Sequence, residues 1–306
     1  MQMSGTPSGA LKLRGAMTAL VTPFGDDGSL DLASLERLAR RQVERGIHGL
    51  VPCGTTGEGA TLDEQEQFEV ISCVVRAAAG RVPVIAGCGS NDTRRTVQAA
   101  RRAVEAGADA LLVVTPYYNK PNRSGMRAHY EAVAGATDRP VVVYNVPGRT
   151  GSNLGSRGVL ELAELPGVVA VKEAAGDLEQ LAEIVEGRPA GFAVLSGDDS
   201  LVLPALALGA DGVISVVSNE APAEMSRMVD CCAQGRYDEA RELHYRLLPL
   251  MRANFVESNP VPVKTAMALL GRCSDRLRPP LGPAEATTRA ALRQALASAG
   301  VTERDA

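Results

Sequence analysis

The chain has 306 residues, 45 % of them apolar and 22 % charged, with a formal net charge of −4, so it can fill a large core and lacks the bias of a disordered or fibrous protein. Aromatic residues are scarce and no basic block occurs, which argues against a phosphate-tracking groove or base-stacking platform and hence against nucleic acid as a partner. Met1 to Gly9 is small and polar and no uninterrupted apolar run approaches ~18–20 residues, so neither a secretory leader nor a membrane span is expected and a cytoplasmic setting is.

Short apolar runs recur along the chain, each followed by a polar amphipathic stretch of helical length. Eight are apparent, at 16–21, 49–52, 82–86, 110–114, 141–144, 168–171, 193–195 and 212–216. Strand alternating with helix implies parallel strands joined by right-handed crossovers, and eight such units predict a closed (β/α)8 barrel of the α/β class. Gly46, Gly107, Gly167 and Gly209 each end a helical segment just before a run, as helix-terminating glycines feeding strands do. Pro83 and Pro140 open two others, a position where the missing N–H is tolerated. Beyond ~220 no strand pattern appears, and 221–235, 237–251, 263–271 and 284–297 read as helices. The expected plan is a flexible tail over 1–13, the barrel over 14–235 and a helical appendage over 236–306, with no linker between the last two.

Ligands gather at the carboxyl ends of parallel strands, and the unusual polar residues fall there. The second run leads into Gly54-Thr-Thr-Gly-Glu58, whose glycines and hydroxyls suit a small anion but lack the Gly-Lys-Ser/Thr ending of a nucleotide loop. The fourth leads into Thr115-Pro-Tyr-Tyr-Asn119 and the fifth into Tyr144-Asn-Val-Pro-Gly-Arg149. The sixth ends on Lys172, one of only four lysines with Lys12, Lys120 and Lys264, while arginine supplies the rest of the 32 basic residues. An amine in a largely apolar site can lose its proton near neutral pH and attack a carbonyl to form a Schiff base. The plainer reading pairs Lys172 with Glu173 or another carboxylate at a strand end. The seventh run gives Ser196-Gly-Asp-Asp199 and the eighth passes through Ile214. A nucleophilic lysine, a carboxylate cradle, phenols and an arginine on one rim point to carbonyl chemistry on an acidic substrate.

Six cysteines without a CxxC pair read as small buried hydrophobes rather than a disulfide framework or zinc ribbon. Three isolated histidines, His48, His129 and His244, offer no metal-ligand spacing, so neither a metal nor another cofactor is expected.

The five motifs at 54–58, 115–119, 144–150, 171–174 and 196–199, with Asn259-Pro-Val-Pro-Val-Lys264, resemble the dihydrodipicolinate synthase family from about Gly15 to the C-terminal helices. That resemblance implies a lyase that condenses pyruvate with aspartate semialdehyde on the route to diaminopimelate and lysine. It implies Lys172 as the Schiff-base residue, and Thr55 and Thr56 as ligands of the pyruvate carboxylate. Tyr144 becomes a proton shuttle acting through Thr55, with Tyr118 reaching across a subunit interface. Arg149 becomes the partner of the aldehyde's carboxylate, and Gly197 and Ile214 line the pyruvate site. A homo-oligomer follows, as a dimer of dimers. N-acetylneuraminate lyase and the 2-keto-3-deoxy sugar acid aldolases share fold and lysine but tend to lack an arginine at the Arg149 motif. A catalytically dead barrel acting as a regulator is a further alternative. Lysine-sensitive relatives bind that amino acid near the relay tyrosine. Tyr117 and Asn91 match their site here, but Gly59, Glu64, Gln67 and Arg95 depart from it.

Overall fold

A computed structural model describes Leu11 and residues 13–302. The other residues of the expected 1–13 tail, and the last four of the chain, lie outside it. Eight parallel strands alternate with helices: β1 Gly15–Ala19, β2 Gly49–Val51, β3 Ile85–Gly87, β4 Ala110–Val114, β5 Val141–Asn145, β6 Val168–Glu173, β7 Ala193–Ser196 and β8 Gly212–Ser215. Between and after them run α1 Leu32–Glu44, α2 Glu64–Ala78, α3 Thr93–Glu105, α4 Arg123–Ala134, the single turn α5 Pro147–Thr150, α6 Gly155–Ala163, α7 Leu178–Gly187, α8 Val202–Ala207 and α9 Pro222–Ala233. Three more helices follow, α10 Tyr237–Ala253, α11 Val261–Leu269 and α12 Ala286–Ala299. None of the described helices is long and apolar enough to cross a membrane.

The strands pair in the order β2-β1-β8-β7-β6-β5-β4-β3. A parallel bridge between Leu50 and Val84, and the bond from Gly87 N to Pro52 O at 2.9 Å, join the two ends of the sheet and close the expected (β/α)8 barrel. Period-two alternation sorts the side chains into two cores. Met17, Val51, Ile85, Leu112, Val142, Leu195 and Ile214 fill the barrel interior, with Leu13 among them. Residues of the opposite parity, such as Leu50, Leu111, Val143, Val171 and Val213, pack under the helices.

Gly107 and Gly209 have φ of 96° and 101°, a left-handed backbone that side chains resist, and so end α3 and α8 as expected. Each is followed by Ala-Asp, and the aspartates do something the sequence pattern did not disclose. Asp109 Oδ2 accepts from Val84 N at 2.9 Å and Asp211 Oδ2 from Val194 N at 2.8 Å. Each carboxylate thus satisfies a backbone donor at the start of the neighbouring strand. The regular part of β3 starts at Ile85 rather than at 82, with Val84 joined to Leu50 by an isolated bridge.

Candidate active site

A β-bulge aims Lys172. Between Val141/Val168 and Val142/Ala170 the register of β5 against β6 shifts, so that Ala170 and Lys172 share the interior parity while Val171 and Glu173 face the helices. Lys172 is only 6 % exposed, and its Nζ lies 4.3 Å from the centroid of the Tyr144 ring on β5. Glu173 does not serve as its partner. Both Glu173 oxygens lie 3.0 Å from Asn145 Nδ2, Oε1 also accepts from Ala175 N at 2.9 Å, and burial pushes this carboxyl up.

A cavity of about 750 Å³ opens above Lys172, walled by residues from the strand ends and from the stretch between α10 and α11. Of the expected residues it brings together Lys172, Tyr144, Thr55, Thr56, Arg149 and Gly197. Ile214 is fully buried in the barrel interior below, and Val216 lines the wall instead. Tyr118 stands apart, 88 % exposed with φ of 72°, its backbone N donating to Thr150 O at 3.3 Å. A bulky residue in that left-handed conformation is strained.

The loop after β2 is held from several sides. Thr22 Oγ1 donates to Gly57 O at 2.7 Å, and a side chain on Gly59 would sit 2.2 Å from Cys53 O, so in this conformation the turn leaves room for glycine alone. Glu58, at φ 52°, accepts from Lys264 Nζ at 2.7 Å and from Arg278 N at 3.0 Å. Lys264 is fully buried, donates also to Thr22 O and Arg276 O, and lies 4.3 Å from the Phe24 centroid, where Arg278 approaches at 4.4 Å from its own side chain. The C-terminal region therefore forms part of this loop's scaffold. A charge so fully satisfied is a structural group, which separates Lys264 from Lys172.

Gly197 must be glycine because a Cβ would meet Ala174 Cβ at 2.5 Å and Lys172 Cε at 3.0 Å. Next to it Asp198 lines the cavity; burial pushes its carboxyl up and the charge of Lys172 pulls it back. Asp199 Oδ2 accepts from Val216 N at 2.9 Å and Val217 N at 2.8 Å, tying the ends of β7 and β8 together.

Asn259 carries a role that strand-end reasoning missed, since it comes from the segment before α11. Its Nδ2 donates to Thr56 Oγ1 at 3.0 Å and its backbone O accepts from Arg149 Nη2 at 3.1 Å. The stretch 259–264 entered the sequence reading only as part of the family resemblance, with no role given to Asn259. Chemically, the cavity offers a recessed amine beside a phenol, two hydroxyls and a guanidinium, which suits an amine-catalysed reaction of small carboxylates.

Residues 12–299 match the dihydrodipicolinate synthetase family. The 4-hydroxy-tetrahydrodipicolinate synthase of Koribacter versatilis is 48% identical, over 95% of this chain and 97% of its own. The crystal structure of a chloride-inhibited dihydrodipicolinate synthase from Acinetobacter baumannii complexed with pyruvate superposes with a TM-score of 0.93 at 41% identity, covering 95% of this chain and 100% of that one. The dihydrodipicolinate synthase of Cyanidioschyzon merolae with lysine bound gives a TM-score of 0.91 at 42% identity, over 94% of this chain and 98% of that one.

Proposed function

Because the chain belongs to the dihydrodipicolinate synthetase family, we propose that it acts as a 4-hydroxy-tetrahydrodipicolinate synthase, joining pyruvate to L-aspartate 4-semialdehyde. The observation that carries this reading is a nearly buried amine and a guanidinium in the wall of one cavity, Lys172 and Arg149. Lys172 attacks the pyruvate carbonyl, water leaves, and the resulting iminium acidifies the methyl group, whose deprotonation gives an enamine. The enamine carbon attacks the aldehyde, forming the new C–C bond, and the substrate's own amino group then displaces Lys172 from the imine carbon as the ring closes.

In this scheme Thr55 and Thr56 hold the pyruvate carboxylate, Gly197 leaves room for the reacting amine, and Ile214 supports the pyruvate end from below. Tyr144 moves protons through the Thr55 hydroxyl. Arg149 fixes the carboxylate of the aldehyde, for which its planar fork is suited. Tyr118 completes the proton relay from a second subunit, a role in keeping with its exposure of 88 % on the free chain. The assembly is a homo-oligomer, as a dimer of dimers. No cofactor takes part in the scheme, and a cytoplasmic setting suits six unpaired cysteines. Although one relative binds lysine, this chain responds to it weakly. The test is pyruvate consumption dependent on aspartate semialdehyde, with N-acetylmannosamine and sugar aldehydes as controls; turnover confined to the sugars would replace this reading by a sugar acid aldolase.

A further inference from the structure

Asn259 is 6 % exposed and lines the cavity, yet its Oδ1 has no hydrogen-bond partner among the described residues. A buried amide oxygen left without a donor is costly, and in the wall of a cavity it is placed to take a donor from whatever enters. What that ligand offers follows from the neighbours. The Asn259 amide N–H donates to Thr56 Oγ1, which leaves the Thr56 hydroxyl proton free for a carboxylate. Turning the amide would reverse that bond and occupy the Thr56 proton, so the orientation that lets Thr56 serve pyruvate is the one with Oδ1 unpaired. On its other side the same residue receives Arg149 Nη2 on its backbone carbonyl. In aspartate semialdehyde the carboxylate and the amino group share one carbon, so the donor that binds one and the acceptor that binds the other must be neighbours. Glu257 in the same wall accepts from Glu285 N at 3.0 Å through Oε1 alone, so its other oxygen is a second acceptor within the cavity wall.

Resting on the synthase reading above, we propose that Asn259 Oδ1 accepts a hydrogen bond from the α-amino group of the aldehyde, and that this contact selects the amino aldehyde over its counterpart lacking nitrogen. Asp198, also in the wall, adds a negative field favourable to an ammonium.

The test separates binding from ring closure. The pyruvate imine is formed first, aspartate semialdehyde or succinate semialdehyde is added, and borohydride quenching at intervals followed by mass spectrometry gives the rate at which each aldehyde consumes the imine. Wild-type protein should react faster with the amino aldehyde; Asn259→Ala should shrink that ratio about tenfold. Asn259→Asp, which keeps an acceptor in place, should retain the preference, and it decides the matter alone if the alanine variant does not load pyruvate. A ratio unchanged in Asn259→Ala, or lost in Asn259→Asp, overturns the inference while leaving the synthase reading intact. A wild-type imine inert to the amino aldehyde overturns both.

Discussion

Lys172 and Tyr144 are register partners on neighbouring strands, with Nζ 4.3 Å from the phenol ring centroid, so amine and phenol face the same cavity. Lys264, the other buried lysine among the described residues, spends its ammonium on Glu58 and two backbone carbonyls. Pyruvate followed by borohydride is therefore predicted to label Lys172 and spare Lys264, and Lys172→Ala to abolish labelling. An adduct mapped by peptide mass spectrometry to Lys264 would sink the assignment.

Arg149→Ala is expected to impair use of the aldehyde while leaving imine formation intact. Loss of a charge-assisted bidentate contact costs ~2–4 kcal/mol, on the order of 10²–10³ in kcat/KM for the aldehyde. Arg149 also holds Asn259 O, so Arg149→Lys, with one point charge for two acceptors, should recover only part of the loss. A variant that fails to trap pyruvate would assign Arg149 to the first half-reaction or to folding.

Tyr118 gives a complementation test. If its phenol enters a neighbour's site, mixing separately impaired Tyr118→Phe and Lys172→Ala proteins creates hybrids in which one site has both residues. Random reassortment of dimers restores about a quarter of the sites. Activity that does not rise above the sum of the separate proteins after subunit exchange, shown by native mass spectrometry, removes the cross-subunit role.

The barrel was legible because hydrophobic period and helix-ending glycines are local signals, and Gly107 and Gly209 behave as such signals require. Lys172, Tyr144 and Arg149 were legible for a related reason: strand ends converge by topology. Asn259 and the Glu58–Lys264 pair were not legible as parts of the site. Their partners lie about two hundred residues away in sequence, and no periodicity records a contact at that separation. The two Gly-Ala-Asp repeats were read for their glycines alone, although the aspartates cap neighbouring strands.

Glu220 predicts a pH dependence of stability. It is fully buried, accepts from Asn254 Nδ2 at 3.2 Å, and burial pushes its carboxyl well above the usual range. Unfolded, the same group ionises near ~4.3. Between those values the folded chain binds more protons than the unfolded chain, so the Glu220 contribution to stability falls as pH rises, by up to ~1.4 kcal/mol per pH unit. Glu220→Gln keeps an acceptor for Asn254 and removes the titration. Its thermal midpoint should gain on wild type as pH is raised from about 5 to 8; a constant difference across that range would show that Glu220 does not titrate there.

Free lysine is predicted to inhibit poorly, and the described geometry says why. The resemblance implies that lysine-sensitive relatives carry a serine where Gly59 stands and histidines at the positions of Glu64 and Gln67, and that sensitive bacterial members carry a glutamate at that of Arg95. A side chain at Gly59 would collide with Cys53 O, so no hydroxyl can be presented from there without moving the loop. Gln67 Nε2 donates to Gly59 O at 3.1 Å and Leu62 O at 3.4 Å, and Glu64 pairs with Arg102 at 2.8 Å. The last pair is a surface contact of small worth, so Glu64 alone would be released easily. Arg95 decides the balance. It sits exposed in the first turn of α3, where its backbone N donates to Asp92 Oδ1, and on the resemblance it would set a guanidinium against the inhibitor's ammonium. Steady-state assays should show no half-inhibition at submillimolar lysine, and Arg95→Glu should raise sensitivity by removing the repulsion. Strong inhibition of the wild-type enzyme at submillimolar lysine would mean that Glu64 or another acceptor holds the ammonium despite Arg95.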